Sequence, residues 1–470
     1  MASPEDLALC SATALLGLYR NKQASPVEAA TAVFARIRKL NPVLNAFCLI
    51  DEEAAISAAR ASEARWMKGS PCGLVDGVPT SIKDLVVTRG WPTLRGSKTI
   101  DPKGPWNDDA PVVARLREHG AVLLGKTTTP EFGWKGVTDN PLTGITRNPW
   151  NIDKTPGGSS GGAVAAVAAG MGPLAIGTDG GGSIRIPCAF TGLFGIKASY
   201  GRVPAWPLSP FGTIAHVGPI TRTVTDAALM LNVLSQPDHR DWTALPYDVR
   251  DYRVGLDDGV RGLRIAFSAT LGYAKVDPEV AAAVANAVKT FASLGARIEA
   301  VDPGFPNPRD CFDRHWFAGA AYVASGLSAE QRSMVDPGLQ EIFAAGQAIS
   351  RHEFFAATVE RGALATTMQQ FHERFDLLLT PTLAVPAFNV GQEVPEPGQG
   401  KRWMDWTPFS FPFNLTQQPA ASIPCGFTMG GLPIGLQIVG PRYADALVLR
   451  AARAFESVHP IRLPDVSKLA

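Results

Sequence analysis

The chain has 470 residues, and 44 Lys+Arg against 43 Asp+Glu leave a formal net charge of +1. So even a balance gives little of the electrostatic attraction on which nucleic-acid and anionic-membrane binders depend. With 19% charged and 46% apolar residues, the composition is that of a compact globular protein with a large core, not of a disordered chain.

Several further classes are disfavoured by residue placement. The six cysteines, Cys10, Cys48, Cys72, Cys188, Cys311 and Cys425, include no Cys-x-x-Cys pair. They read as reduced, mostly buried thiols of a reducing, cytoplasmic compartment. The seven histidines show no His-Glu-x-x-His or similar spacing, so neither a metal nor a cofactor is expected. An apolar stretch at 7–18 follows Glu5 and Asp6 where a signal peptide would carry basic residues. The uncharged run 161–178 is interrupted by glycines and a proline and reads as a buried helix and turn, not as a membrane span.

In chain order, Ser25-Pro26-Val27-Glu28 is a capping box with Pro at the first helical position. Ala30, Val33, Phe34, Ile37 and Leu40 follow at helical spacing, and a second helix is predicted over 52–66. From residue 74 short strand-like runs at 78–82, 121–124 and 174–177 alternate with helices at 111–119 and 162–169. Residues 236–262 are polar and irregular and connect two halves. A strand at 264–267, a helix at 278–294 and a strand at 297–301 come next, then a mostly helical, aromatic-rich stretch at 306–372. Strands at 377–379, 422–424 and 434–439 and a helix at 444–458 close the chain. Alternating strands and helices predict an α/β fold, one large domain with a central mixed, twisted β-sheet covered by helices on both faces. No linker is long enough to separate independent cores. The expected organisation is N-terminal helices at 1–67, a core at 68–235, a divergent and partly helical region at 236–375, and a C-terminal part of the core at 376–470.

Two motif matches are discounted. Gly120 to Thr127 satisfies the phosphate-loop pattern G-x-x-x-x-G-K-[ST], but its middle residues are Ala, Val, Leu and Leu, which favour a buried strand bracketed by glycines over an open loop. Gly157-Gly158-Ser159-Ser160-Gly161 satisfies G-x-S-x-G, yet residues 148–156 cannot form the apolar strand that a nucleophile elbow requires.

What remains is a constellation. Gly157-Gly158-Ser159-Ser160-Gly161-Gly162 and Gly180-Gly181-Gly182-Ser183 flank a helix of small residues. Such a helix lets backbones approach, and consecutive glycines can turn amide groups into an oxyanion-binding concavity. A serine nucleophile needs a base, and Lys83 closes an apolar run in which burial would depress its pKa. A surface lysine paired with Asp84 is the competing reading.

These residues resemble the amidase signature family: Lys83, the 157–162 cluster and Gly177-Thr178-Asp179-Gly180-Gly181-Gly182-Ser183-Ile184-Arg185 match its core. Asn148-Pro149-Trp150, Gly195-Ile196-Lys197, His216-Val217-Gly218-Pro219 and Leu432-Pro433-Ile434-Gly435-Leu436-Gln437 extend the match. The resemblance covers most of the chain and thins between about 236 and 375. It implies a serine hydrolase with a Ser–Ser–Lys triad: Ser183 as nucleophile, Ser159 on a cis peptide bond relaying its proton, and neutral Lys83 as base. Amides of Gly180, Gly181, Gly182 and Ser183 would hold the oxyanion, with Ser160, Asp179 and Arg185 in support.

Gly180 stands where many relatives carry a larger residue, and the extra space would suit a bulky or aromatic substrate group. Ile186 offers no positive charge to an acidic substrate. Trp316, Phe317, Tyr322, Phe343 and Phe354 are expected in the specificity region, and Trp403, Trp406, Phe409 and Phe411 at a cavity entrance. The expectation is an amidase cleaving uncharged, apolar or aromatic amides, anilides or carbamates (urethanes), with ester side activity, as a monomer or homodimer, with no nucleic-acid or membrane partner. The alternatives are a glutamine-hydrolysing subunit of a tRNA-dependent amidotransferase and a non-catalytic nucleotide binder using residues 120–127.

Overall fold

Capping and apolar periodicity build the first helices as expected. Ser25 Oγ accepts from the Glu28 amide while the Glu28 carboxylate accepts from the Ser25 amide, and the helix Pro26–Leu44 buries Ala30, Val33, Phe34, Ile37 and Leu40 along one face. The computed structural model describes residues 4–396 and 400–469. The apolar stretch near the start divides into helices Pro4–Leu9 and Ala12–Arg20, because the Ser11 hydroxyl caps the second. Asp226 then fastens this second helix to the body through the amides of Ala12 and Thr13, at 2.8 and 2.9 Å. Among the described residues no helix is long and apolar enough to cross a membrane.

Eleven strands make one sheet: β1 (Phe47–Ile50), β2 (Pro79–Lys83), β3 (Val122–Thr127), β4 (Leu174–Asp179), β5 (Phe194–Lys197), β6 (His216–Thr221), β7 (Arg264–Phe267), β8 (Arg297–Ala300), β9 (Leu377–Pro381), β10 (Ala420–Phe427) and β11 (Pro433–Val439). Their order across the sheet is β1-β3-β2-β4-β6-β5-β10-β11-β9-β7-β8. β3, β2 and β4 run parallel, as do β9, β7 and β8, while the strands between pair antiparallel. The sheet is therefore mixed. Pairing of β10 with β5, Ala420 opposite Lys197, joins the C-terminal strands to the N-terminal half and makes the chain one domain.

Side-chain alternation sorts the two faces. Leu174 and Ile176 of β4 join a core with Val112, Leu229 and Val448, whereas Ala175 packs on Val164 and Val167 of the helix Gly161–Ala168. That helix is buried throughout, as its Gly/Ala/Val composition suggests. Because β2 and β4 are parallel neighbours, with Ile82 opposite Ile176, their carboxyl ends lie at the same edge of the sheet. This is where open α/β sheets place ligands.

The structure differs from the sequence reading in several places. Strands β1, β5 and β6 and the helices Arg185–Thr191 and Val224–Leu234 were not expected. β5 and β6 carry internal Gly or Pro, which hides the strand pattern. The second glycine of the phosphate-loop look-alike, Gly125, lies inside β3 and not beyond it. The buried Lys126 amine donates to the Val86 carbonyl and to Thr93 Oγ1, so it is committed within the core. All six cysteines are unpaired, but only Cys188 and Cys311 are buried; Cys48 and Cys72 are exposed, because they lie on an edge strand and a loop.

Gly125 has φ +148, and a Cβ there would collide with the Leu49 carbonyl oxygen of β1. Gly125→Ala is therefore expected to destabilise the fold by roughly 2 kcal/mol or more, read as a lower midpoint in urea or thermal unfolding. An unchanged midpoint would contradict the close approach of β1 and β3.

Candidate active site

Lys83, the last residue of β2, points its whole side chain into the protein and has no exposed surface. Its Nζ lies 2.7 Å from Ser159 Oγ, 2.9 Å from Ser160 Oγ and 2.8 Å from Thr178 Oγ1. Burial pushes its pKa well below the ordinary lysine value, and the charge of Asp179 opposes that shift only in part. The surface pairing with Asp84 is not formed: the Asp84 carboxylate accepts instead from the amides of Leu94 and Gly96.

Counting hydrogens shows what this cradle can do. Ser160 Oγ is placed to donate to the Thr178 carbonyl at 3.2 Å and to accept from the Thr178 amide at 3.3 Å, so toward Lys83 it is an acceptor. A neutral amine has two hydrogens and one lone pair. With Ser160 and Thr178 taking the two hydrogens, the lone pair is left facing the Ser159 hydroxyl, from which it can draw a proton. The Gly158–Ser159 peptide bond is cis, as the resemblance implied.

The two glycine/serine clusters meet directly, the Ser160 amide donating to the Ser183 carbonyl at 3.2 Å. Ser159 and Ser183 line one cavity. The turn carrying Ser183 is clamped by a fully buried ion pair. Arg185 donates to both Asp179 oxygens, from Nε at 3.0 Å and from a terminal nitrogen at 2.9 Å, and also reaches Ser410 O, Gln437 Oε1 and Asn414 Oδ1. Burial alone would raise the Asp179 pKa, but the Arg185 charge and hydrogen bonds, helped by Asn414, hold it well below the usual carboxylate range. Neither Asp179 nor Arg185 lines the cavity, in keeping with a supporting position.

One expected oxyanion donor is already engaged. The Gly182 amide donates to Asp179 Oδ1 at 2.8 Å, so it is turned away from substrate. Among the described residues the amides of Gly180, Gly181 and Ser183 have no acceptor inside the protein and remain available to an oxyanion.

The cavity wall also departs from expectation. Trp403, Trp406, Phe409 and Phe411 are all buried in an aromatic core and do not line it. From the divergent region only Trp316 and Val323 reach it, and much of the wall comes from residues 85–87 and 204–212, including Trp206 and Phe211. Gly180 does not open extra space. A Cβ there would lie 2.9 Å from the Trp316 ring, so the missing side chain is replaced by the indole, which stacks on Phe211 with centroids 4.0 Å apart and planes at 14°. Ile186 is buried and offers no charge, as expected, but Arg95 brings one into the wall elsewhere.

Thr178, Asn414 and Gln437 complete the site and were not singled out from sequence. Thr178 lies within the recognised glycine-rich stretch, so its signal was present. Gln437 ends the recognised stretch 432–437 and Asn414 lies in none, but their contacts with Arg185 and Asp179 come from more than 200 residues away, where local spacing assigns no partner.

The Amidase family model matches residues 28–449. An acylamidase of Rhodococcus erythropolis is 40% identical over 97% of this chain and 97% of its own length. A glutamyl-tRNA(Gln) amidotransferase subunit of Myxococcus xanthus (strain DK1622) is 38% identical over 93% of this chain and 94% of its own. Among solved structures, a bacterial aryl acylamidase of the amidase signature enzymes superposes with a TM-score of 0.90 at 35% identity, covering 96% of each chain.

Replacing Asp179 by Asn would leave the buried Arg185 without its counter-charge. Asp179→Asn is expected to cost about 3–5 kcal/mol, lowering the unfolding midpoint. A midpoint equal to that of the unmodified protein would show that the ion pair does not hold this turn.

Proposed function

This chain belongs to the amidase signature family and is a hydrolase of carbon–nitrogen bonds, and we propose that it cleaves amides whose groups beside the scissile bond are uncharged and apolar or aromatic. Alkyl and aryl amides, anilides and carbamates (urethanes) fall in this class, with ester side activity. In this reading the neutral Lys83 amine draws a proton from Ser159 as Ser159 takes one from Ser183, and Ser183 Oγ attacks the carbonyl carbon. The tetrahedral oxyanion is received by the amides of Gly180, Gly181 and Ser183. The same path returns a proton to the departing nitrogen, which amides require because an amide anion is a poor leaving group. Water, deprotonated by the same relay, then attacks the acyl-enzyme and frees Ser183.

The observation that carries this reading is the desolvated Lys83 amine with three hydroxyls around it and Ser159 at 2.7 Å. The substrate side rests on the Trp316–Phe211 stack beside Gly180 and on likeness to proteins named acylamidase and aryl acylamidase. We place specificity in the 204–212 segment together with Trp316, within the organisation of 1–67, 68–235, 236–375 and 376–470 read from sequence.

Likeness to the amidotransferase subunits favours a second reading, release of ammonia from glutamine for a partner that acts on charged tRNA. Glutaminase activity appearing only with partner subunits, and no turnover of anilides by the isolated chain, would select it.

A serine-directed fluorophosphonate followed by peptide mapping tests the triad. The adduct is expected on Ser183 and is expected to vanish in Lys83→Ala, with kcat/KM for an anilide falling about 10²–10⁴-fold; labelling of Ser159 alone would exchange the two serine roles. Only the unprotonated amine accepts a proton, so activity should rise with pH through the depressed Lys83 pKa, its ascending limb lying well below the ordinary lysine value. A limb near pH 10 would contradict burial of the base.

Trp316→Ala tests the substrate class. It is expected to reduce the preference for aryl over alkyl acyl or amine groups by about 2–10-fold, the worth of an aromatic contact. An unaltered preference would place aryl recognition elsewhere.

A further inference from the structure

The cavity that holds Ser159 and Ser183 is apolar for most of its wall, and no Asp or Glu is among its described lining residues. It nevertheless contains one arginine, Arg95. The guanidinium makes no hydrogen bond or ion pair among the described residues, although the residue is largely withdrawn from solvent. Burial lowers its pKa, opposed by the charge of Asp84. Yet no hydrogen bond or ion pair joins Arg95 to Asp84, whose two carboxylate oxygens accept the backbone amides of Leu94 at 3.2 Å and Gly96 at 3.3 Å.

Those two bonds fix the turn on which Arg95 stands. Arg95 has φ +55, in the left-handed region that a side-chain-bearing residue seldom occupies. Its carbonyl accepts from the Phe132 amide at 2.8 Å, and Phe132, also left-handed with φ +52, lines the same cavity. Asp84 is the residue directly after Lys83, so one strand end anchors both the buried amine and the turn that delivers the cation. An unpaired guanidinium on a residue of a wall that also includes Leu85, Val86 and Phe132 is costly unless something brings it a counter-charge. A carboxylate suits it, because the planar fork matches two carboxylate oxygens at once.

We infer that Arg95 is the recognition point for a carboxylate on the substrate: the amide is flanked by apolar groups, one of which ends in a negative charge. This rests on the amidase reading above and revises the wholly uncharged substrate expected from sequence. The groups next to the scissile bond stay apolar, and the charge lies at the far end of one of them.

Two matched pairs test this on either side of the scissile bond: acetanilide against 4-acetamidobenzoate, and butyranilide against succinanilic acid. In at least one pair the unmodified protein should favour the carboxylate by about tenfold or more in kcat/KM, through KM, the worth of a hydrogen bond to a charged group. Arg95→Gln should bring that ratio near one, and Arg95→Lys should keep part of it. No preference in either pair, or a preference that survives in Arg95→Gln, would overturn the inference. Calorimetric binding of both acids and their neutral partners to Ser183→Ala, with and without Arg95→Gln, separates the two readings. Arg95-dependent binding of an acid without turnover of any amide would sink the amidase substrate class and leave the recognition point standing. Hydrolysis of the neutral amides with no Arg95-dependent binding of either acid would do the reverse.

Discussion

An amine withdrawn from water is the constraint from which the rest of this site follows. An ammonium in the interior is expensive, and Lys83 has no exposed surface, so the protein stabilises its neutral form and supplies as many hydroxyls as a neutral amine has positions to fill. Ser160 and Thr178 occupy the two hydrogens and Ser159 faces the lone pair. Three chain segments must therefore converge within hydrogen-bond distance: the end of β2, the turn before the helix Gly161–Ala168, and the end of β4. Parallel pairing of β2 with β4 brings the first and last together, and a helix of small residues brings the second close.

A second charged device holds the turn carrying Ser183. The Asp179–Arg185 pair is fully buried, and its remaining hydrogen-bonding capacity is met by Asn414, Gln437, Ser410 O and the Gly182 amide. Buried ion pairs of this kind add little to stability against an apolar substitute, but each half is very costly alone. The useful consequence is geometric: with the Gly182 amide engaged by Asp179, the amides of Gly180, Gly181 and Ser183 are left without an acceptor among the described residues. Asn414, on the short helix Pro412–Leu415, and Gln437, on β11, both belong to the C-terminal part of the chain, so the turn is set by contacts from both ends of the sequence.

The cavity wall shows how one missing side chain is taken up by a distant ring. Gly180 admits the Trp316 indole, which in turn stacks on Phe211, so that an aromatic surface stands beside this glycine. In the wall of the same cavity, the turn pinned by Asp84 contributes Arg95. An aromatic stack and an unpaired arginine in one wall give the cavity a character that neither the overall charge nor the aromatic content of the chain expresses.

Much of this was legible in the primary structure, because some physics is local. The Ser25 capping box, the apolar periodicity of the first helices, the β2 and β4 runs and the glycine/serine clusters all depend on neighbours a few residues apart, and the family resemblance that Lys83 and those clusters carry pointed to Lys83, Ser159 and Ser183. What depends on distant partners could not be read. Trp403, Trp406, Phe409 and Phe411 are expected from sequence at an entrance but supply core rings, since whether an aromatic faces solvent or a second aromatic layer is decided by packing. The Gly182 amide looked free until Asp179 folded back upon it. Arg95 is one arginine among many in the sequence, and only the turn held by Asp84 and Phe132 carries it into the cavity without a partner. Residue types and local spacing thus determined which groups can do chemistry here, while the tertiary structure alone decided which of them are desolvated, paired or left open, because burial and hydrogen-bond satisfaction are properties of a neighbourhood assembled from the whole chain.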